Sequence, residues 1–169
     1  RYGTWFLALL TFILPLVLYL RTLAPTYIPI DSAEFALCMH FWGICHPPGF
    51  PLYTLMGKIF TDFWPWGELI YKANLFSAIF GSLTVVIVFL VLRTLKVSRN
   101  LAFLLALYLA VSQNFWEFSI AADVFTFATF LMALSIYLAF RQRAYLAFFV
   151  LGLSASHFYI SLVLWPLFF

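Results

Sequence analysis

The chain of 169 residues is 66% hydrophobic, only 9% charged, and carries a net charge of +3. A soluble domain of this composition would expose apolar surface on every face, so the reading is an all-α, polytopic integral membrane protein. Its basic residues form no patch or arm, which argues against nucleic acid as a partner, and two cysteines do not make a disulfide framework.

The chain opens at Arg1 without a methionine and stops inside the apolar run LVLWPLFF, so a piece of a longer polypeptide, cut at both ends, is expected. A crossing takes about 20 apolar residues for a hydrocarbon core about 30 Å thick. Thr4 to Leu20 meets this and is closed by Arg21. Pro25 after Ala24 is a poor cleavage context, so the segment reads as a retained anchor rather than a signal peptide. Further spans are expected at Ala73–Leu92, at about Leu101–Phe115 and at about Ala122–Phe140. From Ala144 to Phe169 the apolar pattern is interrupted by Gly152, His157 and Pro166, leaving one tilted span or two short ones open. The total is about five to six transmembrane helices in one unit, residues 1–169.

Lys and Arg favour the cytoplasmic side. Arg93, Lys96 and Arg99 share one loop, Arg141 and Arg143 another, and Arg1 joins them at that end. The first outer loop, residues 21–72, and the hairpin Asn114–Asp123 then face away from the cytoplasm. Two short amphipathic helices are expected along the surface within that loop. The first runs from Asp31 to about Phe41, with Asp31 and Glu34 at capping-box spacing and an apolar stripe of Phe35, Met39 and Trp42. Pro47, Pro48 and Gly49 break the chain, and Pro51 opens the second. There Leu52, Leu55, Met56, Ile59, Phe60 and Phe63 share helical spacing, with Thr54, Lys58, Thr61 and Asp62 on the other side.

This outer loop gathers the reactive side chains. The stretch YIPIDSAEFALCMHFWGICHPPGFPLY, residues 27–53, holds two of the six carboxylates, two of the three histidines and both cysteines. Asp31 and Glu34 can accept a proton from a hydroxyl or hold a metal; the plain alternative is a helix cap. Glu117 and Asp123 form a second acidic site, where Glu117 suits a simple interface marker and Asp123, at the start of a span, needs a partner. Packing of the spans side by side would let Asp123 approach Asp31. Cys38, His40, Cys45 and His46 match no closed zinc pattern, and apolar packing is the better reading of the cysteines. His46 stands out because two prolines fix the backbone beside it, while His157 reads equally as a buried histidine or a ligand. Arg21, Lys58 and Lys72 are cations on the outer side, suited to lipid headgroups or to the phosphate of a lipid-linked substrate.

In order, LAPTYIPIDSAEF, HPPGFPLYTLMGKIF and KANLFSAIFGSLTVVIVFLVLR resemble the amino-terminal membrane domain of the GT-C glycosyltransferases. The nearest branch is the one labelled domain of unknown function 2723, which includes a eukaryotic protein O-mannosyltransferase. The order of acid, HPP and a basic residue opening a span is also similar to the aminoarabinose and protein mannosyltransferases. The resemblance implies inverting transfer of a sugar from a polyprenyl-phosphate carrier to a protein or glycan acceptor on the extracytoplasmic or lumenal side. It implies residence in a bacterial inner membrane or the endoplasmic reticulum, with membrane lipid as a further partner. It puts the catalytic acid on Asp31, with Glu34 in the same motif, a second acid on Asp123, and a substrate-binding cation on Lys72; the need for positive charge beside a departing phosphate adds His46 or Lys58 as a further substrate-binding group. Lys72 stands where relatives often carry Arg, which weakens any bidentate phosphate contact but keeps the charge. No cofactor is fixed by the motifs; a divalent metal is left open.

Two rivals stand beside this reading. A transporter would place ionisable groups and broken helices near mid-span, whereas here the acids lie at span ends. A non-catalytic membrane domain that binds lipid-linked sugar would keep the fold and tolerate loss of Asp31.

Overall fold

A computed structural model describes residues 2–28 and 31–168. Arg1, Pro29, Ile30 and Phe169 lie outside the described residues, and with them the expected contribution of Arg1 to the basic end. The described residues hold helices and no strand. They are α1 (Tyr2–Thr22), α2 (Ser32–Phe41), α3 (Pro51–Phe63), α4 (Leu69–Thr94), α5 (Arg99–Ala110), α6 (Gln113–Ser119), α7 (Val124–Phe140), α8 (Ala144–His157) and a closing 3-10 helix, Tyr159–Phe168.

Two of these, α1 and α4, are long and apolar enough to cross a membrane, and a third crossing arises if α5 and α6 count as one. At 17 residues α7 rises only about 25 Å, short of a full hydrocarbon core, and α8 is shorter still. The expected single span at Leu101–Phe115 is corrected: the chain bends by 67° between α5 and α6. Ser112 causes the break. It takes extended backbone, its hydroxyl donates to the carbonyl of Leu109 at 2.7 Å, and its own carbonyl receives the first amide of the next helix, from Trp116. Glu117 therefore sits exposed on a short helix rather than in a tight hairpin.

The packed surfaces mix small and hydroxyl side chains with large apolar ones. Along α4 the buried side is Ala73, Asn74, Ser77, Ala78, Gly81, Ser82 and Thr84 together with Leu75, Phe76, Val85 and Phe89. On α5 the buried stripe is Ala102, Ala106 and Ala110, while Leu101, Leu104, Leu105 and Tyr108 face outward. Small and hydroxyl side chains let helix backbones approach closely in lipid, where apolar surface gains nothing by being hidden. At Gly81 a β-carbon would collide with the Ser119 hydroxyl and meet Tyr19 at 3.4 Å, so only glycine admits α6 and α1 here.

The expected face of α3 is corrected. Thr54 and Thr61, assigned to the polar side, are 5% and 3% exposed, whereas Phe63 from the apolar stripe is 82% exposed. The helix buries Tyr53, Thr54, Gly57 and Thr61, packs Leu52, Met56 and Phe60 partly against the core, and leaves Leu55, Ile59 and Phe63 exposed. On α2 the stripe holds for Phe35 and Met39 but not for Trp42, which ends the helix in the left-handed region at φ 56° and is 60% exposed.

The central helix α4 packs on α1, α5, α6 and α7, and α7 packs on α8. Asn74, fully buried at the start of α4, organises one end of the bundle. Its Nδ2 donates to the carbonyl of Ala24 at 3.0 Å, and its Oδ1 accepts the amide of Ala122 at 2.7 Å. The amide of Ala24 donates to Ile120 at 2.9 Å. The segment after α1 and the segment before α7 thus meet at one end. At the other end, the start of α1 reaches the basic loop, because a β-carbon on Gly3 would meet the Arg99 side chain.

Candidate active site

The turn after α2 brings the chain back upon itself. The amide of Gly49 donates to His46 at 2.8 Å across two prolines, and Gly49 adopts a φ of +94° that a larger residue rarely takes. Closing this turn puts His46 beside Glu34. The Glu34 carboxylate accepts the His46 amide at 2.5 Å through one oxygen and lies 3.0 Å from Nδ1 through the other. Phe35 and Phe50 flank the ring at 5.5 Å each.

The expected capping box is not formed. Asp31 precedes α2 without a side-chain cap bond, because Glu34 takes two donors from His46 rather than the single amide a box would offer. The consequences are electrostatic. Hydrogen bonds from His46 hold the Glu34 carboxyl below its ordinary value, and Glu34 in turn raises the imidazole, helped by the charges of Asp31 and Asp123. Both partners are about 40% exposed, so water screens the pair strongly.

Asp123 joins the same neighbourhood. It caps α7, its Oδ1 accepting the amide of Phe125 at 3.0 Å, and it is 7% exposed. Ser77 on α4 holds its backbone, accepting the amide at 3.2 Å. Burial pushes Asp123 up to about 6, and the charge of Asp31 pushes the same way. The amides of Phe125 and Val124 and the charge of His46 pull it down. Asp31, Glu34, His46 and Asp123 therefore act on one another at one end of the bundle.

Lys58 and Lys72 are engaged on the α3–α4 side. Lys58 Nζ pairs with Asp62 at 2.7 Å one turn on, and Lys72 Nζ donates to the carbonyl of Thr61 at 3.0 Å. Lys72 also lines a polar cavity of about 390 Å³ together with His40, Thr61, Asp62 and Glu68. His40 thus turns away from His46, and the four-residue Cys/His set is not assembled. Donor atoms do converge to within 4.8 Å in two trios, Asp31–Glu34–His46 and Glu34–Cys38–Cys45. The first, oxygen-rich, suits a hard divalent cation and the second a softer one.

Residues 31–169 match the family model described as the Protein O-mannosyl-transferase TMEM260 N-terminal domain. The chain belongs to that family. A relative from Mus musculus, "Protein O-mannosyl-transferase TMEM260", is 34% identical over 110 residues, covering 63% of this chain and 16% of the relative. Another from Dictyostelium discoideum, "Protein O-mannosyl-transferase tmem260", is 30% identical over 132 residues, covering 76% and 16%. The chain spans about one sixth of the length of these curated relatives. No solved structure matches.

Within this TMEM260 N-terminal domain the sequence reasoning missed two supports of the site, Asn74 and Ser77, and left open a third, His157, which is a buried histidine. The ring of His157, 1% exposed, stacks on Tyr53 at 5.9 Å and meets Phe50 at 5.8 Å. Its Nε2 lies 3.2 Å from the carbonyl of Val124, and since a carbonyl only accepts, Nε2 carries the proton. His157 thus joins the HPPG turn to the residue after Asp123. A polar side chain deep in an apolar run was the available signal for all three.

Proposed function

We propose that this chain forms the catalytic end of a membrane glycosyltransferase of GT-C type. It moves a sugar, mannose by analogy with the named relatives, from a polyprenyl-phosphate carrier to a protein or glycan hydroxyl on the non-cytoplasmic side. The observation that carries the reading is the meeting of Asp31, Asp123 and the Glu34–His46 pair at one end of the bundle, opposite the basic loop. Asp31, exposed and free of any capping bond, is the base that takes the acceptor proton. His46, whose protonated form Glu34 favours, lies among the acids and faces the phosphate as it departs. Inversion follows from a single displacement, in which the acceptor oxygen bonds to the anomeric carbon as the carrier phosphate leaves.

The test is release of carrier phosphate from short-chain polyprenyl-phosphate mannose by the full-length protein in detergent, with candidate acceptor peptides. Acceptor-dependent release is expected; tight donor binding without release for any acceptor would reduce the chain to a lipid-sugar-binding domain.

Lys72 combines two roles in this reading. Its Nζ holds the last turn of α3, and its side chain lines the polar cavity. Lys72→Met is expected to raise the donor Kd about tenfold, the loss of one charge-assisted hydrogen bond. An unchanged Kd in calorimetric titration would leave Lys72 as a helix clamp alone.

Asp123 sets a pH dependence. Its pKa in the folded protein, about 6, is above that of a free carboxyl, so folding favours the protonated form. The stability this contributes is complete below about pH 4 and is lost as pH rises through about 6, amounting to roughly 3 kcal/mol. Asp123→Asn keeps the Oδ1 acceptor for Phe125 and is expected to flatten that decline in thermal unfolding between pH 4 and 7. A decline of unchanged size in the variant would remove Asp123 as its source.

A further inference from the structure

We propose that Cys38 and Cys45 are joined by a disulfide in the mature protein, a cross-link that ties α2 to the turn carrying His46. The inference rests on the non-cytoplasmic placement of the first outer loop, since thiols persist in the cytosol and are oxidised outside it.

The backbone is built to bring the two sulfurs together. Helix α2 ends where Trp42 turns left-handed, and the amide of Gly43 folds back to the carbonyl of Cys38 at 3.0 Å. A β-carbon on Gly43 would sit 3.3 Å from the Cys38 α-carbon and 3.6 Å from its sulfur, so a bare glycine permits the return. The chain then delivers Cys45 with its sulfur within 4.8 Å of that of Cys38. Both residues are buried, at 6% and 3% exposure, and both are unbonded in this structure.

Timing follows from the burial. Both sulfurs are buried in the folded protein, out of reach of an incoming disulfide. Oxidation therefore precedes packing. A disulfide of an oxidised protein dithiol, or of glutathione, accepts the electrons: the two S–H bonds of Cys38 and Cys45 break, one S–S bond forms, and the incoming disulfide leaves as two thiols. The cross-link then fixes the segment one residue before His46 to the helix that carries Glu34.

Trypsin supplies a direct readout. No Lys or Arg lies between Arg21 and Lys58, so both cysteines fall in the single peptide Thr22–Lys58, independent of any cysteine elsewhere in the full-length chain. Full-length protein from native membranes is denatured with maleimide and without reductant, digested and weighed. Nearly all of this peptide is expected to lack maleimide and to be lighter than the reduced peptide by two hydrogens. After reduction it should take up two maleimides. Two maleimides without reductant, or one, would overturn the proposal. A topology reporter placed after Thr61 separates the causes. Free thiols with an outward reporter sink the disulfide alone, and free thiols with a cytoplasmic reporter sink it together with the outer-face reading of the site.

Discussion

Asp31→Asn is expected to lower acceptor-dependent release of carrier phosphate by about 10²–10⁴-fold, the usual contribution of a positioned general base. Asparagine keeps the size of the side chain and its hydrogen-bonding oxygen but takes up no proton. Because Asp31 is exposed and makes no capping bond, the change leaves α2 and the bundle intact. Donor affinity should therefore stay within about twofold, so the loss appears in kcat and not in binding. Full turnover by the folded variant would remove Asp31 from the chemistry and return the chain to a binding role.

Asn74→Leu should cost the fold about 3 kcal/mol in denaturant unfolding of the detergent-solubilised protein. The buried amide satisfies one carbonyl and one amide from two different connecting segments, and each buried group left unpaired costs about 1–3 kcal/mol. Leucine fills the volume and supplies neither partner. The same variant leaves the segment before Asp123 tied to the segment after α1 by the Ala24–Ile120 backbone bond alone, so its activity should fall even where it remains folded. A stability change below about 0.5 kcal/mol would mean that neighbouring groups or water replace both bonds.

Much of the architecture was legible because hydrophobic length and helical spacing are read directly from the chain. Helices α1 and α4, the two short helices between residues 21 and 72 and the helix before Arg141 lie where the patterns put them. The packed faces were harder. Amphipathic spacing splits α3 into an apolar and a polar side, but the packed face cuts across both, taking in Thr54 and Thr61 beside Leu52, Met56 and Phe60 and leaving Phe63 out. The break at Ser112 was hidden inside an apolar window, since one hydroxyl that bonds backward changes the path without changing hydropathy.

The candidate site was legible as a list of residues but not as a set of partnerships. Asp31 and Glu34 have capping-box spacing, and only the turn at Gly49 decides that Glu34 bonds His46 instead. The approach of Asp123 depends on Asn74 and Ser77, whose hydrogen bonds span 46 to 50 residues. No local spacing encodes such a contact.

His157 carries a consequence for biosynthesis. Its ring backs both Phe50 and Tyr53, and its proton holds the carbonyl next to Asp123. These groups belong to segments made long before residue 157 leaves the ribosome. Until α8 inserts, the aromatic rings behind His46 and the first turn of α7 lack their common wedge. The turn carrying Phe50 and Tyr53 thus waits for a residue more than a hundred positions later, and a nascent chain halted after α7 would lack the ring that packs behind it.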